Sequence, residues 1–107
     1  MAIIEKDYGY VTFEWHDEKE QKNIAKHKLS FETAHLAFFD PNALTAPHQV
    51  VDGEERWRTL ARIGDTFVIL FIGHLYDTDE DKEYIKIITA RQATNEEQRE
   101  YYDNQNY

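Results

Sequence analysis

The 107-residue sequence contains no cysteine. That excludes disulfides, thiolate metal ligands and a cysteine nucleophile, and it is compatible with a reducing compartment. Serine is almost as scarce: Ser30 stands alone, in a setting that reads as a helix start rather than a nucleophile's. Only four glycines and two prolines interrupt the chain, so connections are expected to be short, and Gly53, Gly64 and Gly73 make no phosphate-cradling loop. The longest apolar run, Phe67 to Ile72, is far below the roughly 20 residues that span a bilayer. The opening MAIIEKDYGY carries early charges and no apolar stretch of signal-peptide length. A soluble, cytoplasmic protein that engages no membrane is expected. Basic residues are in deficit as well: 12 Lys and Arg stand against 21 Asp and Glu, a net charge of -9. As a global quantity this opposes binding to a polyanion; the placement of the charges decides.

What is present suits one folded domain spanning residues 1–107. The chain is 41% hydrophobic and 14% aromatic, enough for a modest core that buries about two-thirds of the unfolded surface. Tyr8 to Trp15 is aromatic and β-branched and reads as a first strand. Asp17, an expected N-cap, opens a run of helix formers ending near Lys28. Ser30 is placed to cap a second helix, SFETAHLAFF, which Asp40-Pro41-Asn42 ends. Strands are then expected at Leu44 to Val51, Arg56 to Ile63, Thr66 to Tyr76 and Tyr84 to Arg91. Turns fall at Asp52-Gly53-Glu54 and Gly64-Asp65, an acidic loop at Asp77 to Glu83, and a terminal helix at Asn95 to about Asp103. This grouping predicts an α+β fold with an antiparallel sheet, two helices after the first strand and a C-terminal helix.

The charges are segregated. Residues 19–28 hold Lys19, Lys22, Lys26, His27 and Lys28 against one acid, Glu20. At about 100° per residue, Lys19, Lys22, Asn23, Lys26 and His27 share one helix side. Arg56, Arg58 and Arg62 share one strand face, with Trp57 on the other. Lys86 and Arg91 lie on opposite faces of the last strand unless a bulge intervenes. A basic patch on an acidic globule is one reading, with a reach of about 8 Å at physiological salt. A solvated lysine face, and arginines paired with Glu54 and Glu55, is the other.

The five histidines, His16, His27, His35, His48 and His74, form neither an HxxxH pair nor HExxH, so no metal site and no cofactor are expected. Lys, Arg and His chemistry suits RNA cleavage by the RNA's own 2′-hydroxyl. A base removes that proton, cations steady the crowded phosphate, and an acid protonates the departing 5′-oxygen. Histidine transfers protons near neutral pH, and arginine offers a planar fork to two phosphate oxygens.

The stretch Phe13 to Pro41, FEWHDEKEQKNIAKHKLSFETAHLAFFDP, resembles the signature of the BrnT toxin family: FEWD, then K, N and KH at fixed intervals, then F-E-x-A and F-x-D-P. Phe13, Glu14, Trp15, Lys19, Asn23, Lys26, His27, Phe31, Glu32, Ala34, Phe39, Asp40 and Pro41 fall in register. GEERWRTLARIG and IKIITARQATNEEQREYY are similar to the family's later blocks, extending the resemblance to about Tyr102. The resemblance implies a RelE-like fold and a metal-independent endoribonuclease that inhibits translation. It also implies neutralisation by a BrnA-like ribbon-helix-helix antitoxin in a hetero-oligomer, which touches operator DNA only through the antitoxin. Carried over by position, it points to Lys26, His27, Arg56 and Arg91 as catalytic, with His27 in proton transfer and the others on phosphate. Lys19, Lys22, Trp57, Arg58 and Arg62 are the accompanying RNA-binding candidates. The chain departs from the pattern at His16 (Asp in FEWD), Lys28 (Gly after KH), Ala61 (Gly) and Gln92 (a basic residue). Two other functions stay open: a catalytically weak homologue that binds antitoxin in operon autoregulation, which the acidic composition motivates, and a housekeeping RNA-binding domain.

Overall fold

Six β-strands and three α-helices make up the protein in a computed structural model that describes residues 2–105. The strands are β1 (Ile3–Asp7), β2 (Val11–His16), β3 (Leu44–Val51), β4 (Glu54–Ala61), β5 (Leu70–Asp79) and β6 (Lys82–Gln92). The helices are α1 (Asp17–His27), α2 (Phe31–Ala34) and α3 (Asn95–Asp103), and a 3-10 segment, His35–Phe39, continues α2. All strands join one sheet in the order β1-β2-β6-β5-β4-β3. Only β2 and β6 run parallel; the other neighbours are antiparallel. The fold is therefore α+β as expected, with a mixed, mostly antiparallel sheet.

Alternation along the strands sends apolar side chains to both faces, and each face is covered. Val11, Phe13 and Trp15 of β2 pack with Ile72, Ile85 and Ile87 beneath Phe31, Ala34 and Ala37. On the opposite face Leu60, Ile69, Phe71 and Ala93 pack with Tyr101 of α3. Burying each large side chain contributes about 1.5–3 kcal/mol. Asp52 and Gly53 both take positive φ, 51° and 79°, the two-residue turn that matches strand twist between β3 and β4.

Several expectations are corrected. β1 precedes the expected first strand; its IIEKD mixes charge with isoleucine, and its outer edge meets no other strand of the described chain. The N-cap of α1 is His16, without a side-chain bond, and Asp17 is its first residue. Ser30 does cap α2, accepting from the Thr33 amide at 3.0 Å. The strand expected from Thr66 begins only at Leu70, and Phe67 is 87% exposed. The acidic loop is tighter than expected, because β5 runs to Asp79 and β6 resumes at Lys82. No helix among the described residues is long and apolar enough to cross a membrane.

Candidate functional site

The position of α1 follows from one buried side chain. β2 pairs with β6 only as far as Glu14 and Lys86, which leaves the next stretch of β6 without a strand on that side. Asn23, 7% exposed, fills the gap. Its Nδ2 donates to the carbonyls of Ala90 and Leu29, both at 2.8 Å, and its Oδ1 accepts from the Ala90 amide at 3.2 Å. A carboxamide carries both a donor and an acceptor, so Asn23 satisfies the strand edge as a neighbouring backbone would. That fixes α1 against β6 with its cationic side turned to Ile88 and Thr89.

Lys19, Lys22, Lys26 and His27 line a shallow depression of about 240 Å³ whose floor includes Ile88 and Thr89. Lys22 pairs with Glu18 at 3.5 Å, while Lys19 and Lys26 make no ion pair among the described residues. Ile88 and Thr89 also line a second depression, of about 80 Å³, together with His48, Gln49, Arg56, Trp57, Phe71 and Gly73. The two depressions thus have Ile88 and Thr89 in common. Arg56 contributes a guanidinium whose Nε is buried without a hydrogen-bond partner; its nearest acid is Glu54, at 3.5 Å. A buried donor left unmatched costs about 1–3 kcal/mol.

Two β-bulges shape this floor. The β5–β6 register steps from Gly73↔Thr89 to His74↔Ile87, leaving Ile88 as the extra residue. With the bulge, Lys86 and Arg91 pair with Leu75 and Phe71 and so share a face. The β3–β4 register skips His48 in the same way, between Pro47 and Gln49. Gly73 sits between the two: a Cβ there would meet the Thr89 methyl at 2.8 Å.

Arg91 stacks over Phe71 at 4.0 Å, so its charge borders the second depression. Its fork is engaged by both Glu97 oxygens, at 2.8 and 3.1 Å. The Arg91 bond is the foremost cause holding the Glu97 carboxyl below its usual range. Arg58 is likewise turned to α3, where it pairs with Glu100. Trp57 packs against Tyr76, with ring centroids 5.5 Å apart. Arg62 stands apart, because β4 ends at Ala61. It lines a separate hollow with Asp40, Pro41 and Gly64, and its amide donates to Asp40.

The structure thus gathers Lys19, Lys22, Lys26 and His27 in one depression and Arg56 and Trp57 in a second that shares Ile88 and Thr89 with it, sets Arg91 over Phe71 beside the second, turns Arg58 to α3 and leaves Arg62 outside. Sequence reasoning missed Asn23 as the anchor and His48, Gly73 and Thr89 as lining residues. Pro47 inside an expected strand was the available signal, since proline in a strand marks an edge or a bulge. A larger depression, of about 570 Å³, is lined by Glu14, Glu54, Glu55 and Asp77 against one cation, Lys86, with Trp57 at its side as well; four acids to one base make it a poor setting for a phosphate. Among the described residues no three His, Asp or Glu side chains gather as a metal-ligand cluster.

His74 lies behind the second depression, 1% exposed. Its ring bonds the Leu75 carbonyl at 3.0 Å and the Thr59 hydroxyl at 2.8 Å. Burial lowers its pKa to about 4, so it is neutral at pH 7, with Nδ1 donating and Nε2 accepting.

No curated protein matches the chain. A family model described as "Ribonuclease toxin, BrnT, of type II toxin-antitoxin system" matches residues 15–97, a span that holds α1, both bulges and all of the cations gathered here, and the chain belongs to that family.

Proposed function

We propose that this chain is a metal-independent endoribonuclease that cleaves RNA through its 2′-hydroxyl and so blocks translation. The carrying observation is that two depressions have Ile88 and Thr89 in common, one lined by His27 and three lysines, the other by Arg56, whose Nε is unmatched while its Nη2 lies 3.5 Å from Glu54. Arg56 and Lys26 hold the phosphate oxygens, and His27 transfers a proton. Arg91 adds charge from above Phe71. Lys19, Lys22 and Trp57 contact the flanking RNA. Arg58 and Arg62, engaged with Glu100 and lodged in a separate hollow, contribute least.

Membership of a type II toxin–antitoxin family implies an antitoxin partner. We infer that it is a BrnA-like ribbon-helix-helix protein, bound in a hetero-oligomer that reaches operator DNA through the antitoxin.

The test is incubation of the purified chain with single-stranded RNA at low salt, with and without EDTA. Cleavage leaving 2′,3′-cyclic phosphate ends, indifferent to EDTA, is expected. Arg56→Ala is expected to slow it by roughly 100-fold or more, as for loss of one preorganised donor. Intact RNA would leave the second reading, an antitoxin-binding module without catalysis. That reading draws on the net charge of -9 and on the acids of α3 that occupy Arg91 and Arg58.

A further inference from the structure

We propose that His48 is a second proton-transfer residue of the RNA-cleaving site, working across the Ile88–Thr89 floor from His27. The proposal rests on the ribonuclease reading above and assigns a group that reading leaves open. Cleavage needs two proton transfers, and His27 supplies one.

Three observations converge on His48. It is the extra residue of the β3 bulge, and bulges re-aim a side chain and end its pairing. Freed from the ladder, its ring reaches across β4 to Phe71, with centroids 5.5 Å apart and planes at 74°. It also lines the same depression as the buried, unmatched Arg56 Nε. The two irregularities of the sheet, at His48 and Ile88, therefore meet at one place. His48 is exposed, so it is open to an RNA strand lying on the floor.

One imidazole, neutral, takes the 2′-hydroxyl proton as that oxygen bonds to phosphorus. The bond from phosphorus to the 5′-oxygen breaks, and the other imidazole, entering as imidazolium, protonates that oxygen. A 2′,3′-cyclic phosphate and a 5′-hydroxyl result, with no net proton consumed. The charged and titratable groups around His48 are Arg56 with Glu54 on β4, Arg91 with Glu97 across Phe71, and His74 behind the depression.

The experiment measures cleavage of a short single-stranded RNA against pH for the full chain, His48→Ala and His27→Ala. The wild type is expected to give a bell-shaped profile. His48→Ala is expected to lower kcat by roughly 100-fold or more, leave KM nearly unchanged and lose one limb of the bell. Added imidazole is expected to restore part of the rate. His27→Ala should lose the other limb. A thermal melt of His48→Ala close to the wild type confirms the fold. Wild-type kcat in His48→Ala overturns the proposal, and so does a loss that keeps both limbs and resists imidazole. A wild-type chain that leaves RNA intact overturns the ribonuclease reading and, with it, this one.

Discussion

Asn23→Leu removes the group that ties the cationic helix to the sheet while keeping the same branched arrangement of heavy atoms. In the wild type the carboxamide satisfies Ala90 N–H, Ala90 C=O and Leu29 C=O, and the Thr89 hydroxyl lies 3.4 Å from its Oδ1. Leucine satisfies none of them, and the Ala90 groups lie under α1, away from water. Each buried backbone group left unmatched costs about 1–3 kcal/mol, and some of the loss is recovered by added apolar contact. A net destabilisation of about 3 kcal/mol is expected. For a domain of this size that lowers Tm by roughly 12 °C or more. Calorimetry or circular dichroism measures it. RNA cleavage well below the melt should fall further than the folded fraction does, because α1 loses its fixed distance from Arg56. Asn23→Asp should do no better: it keeps the acceptor but turns a carboxylate toward two carbonyls. A Leu variant that melts within about 2 °C of wild type, a shift worth about 0.5 kcal/mol, would refute the role given to Asn23.

Further outcomes follow from the same geometry. His74 is held neutral by burial, with its pKa near 4 against 6.5 unfolded, so the unfolded chain binds the extra proton. Stability is therefore lost as pH falls from 6.5 to 4, by about 3 kcal/mol in all. Urea melts across that window should show the decline, and His74→Phe should flatten it. Glu97, whose pKa is lowered first by the Arg91 hydrogen bond, contributes only in a more acid window. Gly73→Ala should cost about 1–3 kcal/mol through overlap with the Thr89 methyl. Thr89→Ser, which removes that methyl, should restore much of the loss in the double variant. Lys26→Ala should weaken RNA binding and reduce the log–log salt slope by about 0.7. Arg62→Ala should change neither, since Arg62 lies in another hollow; equal effects in a filter-binding titration would contradict the placement.

The residues differ in how openly they declared themselves. The lysine face of α1 was legible because a 3.6-residue period places Lys19, Lys22, Asn23 and Lys26 together whatever the helix packs against. The anchoring role of Asn23 was not, because it depends on where β2 stops pairing with β6. Arg56 and Arg62 looked equivalent by alternation, but β4 ends before Arg62 and the chain turns away. A bulge in the last strand is allowed for by the sequence, but neither bulge can be located from it, because one extra residue changes register without changing composition. That single shift puts Lys86 and Arg91 on one face. The stretch Thr66 to Ile69 reads as strand on hydrophobicity alone, yet Phe67 faces solvent. β1 was overlooked because two isoleucines among charges carry little strand signal.

The decisive test uses an RNA oligonucleotide with a 2′-deoxy substitution at the scissile nucleotide, which binds without being cut, titrated into the isotope-labelled chain and followed by NMR. Shifts should cluster at His27, His48, Arg56, Phe71, Ile88 and Thr89. Shifts confined to the hollow around Asp40 and Arg62, or to the acidic face of Glu14 and Glu54, would contradict the shared floor on which the proposed cleavage depends.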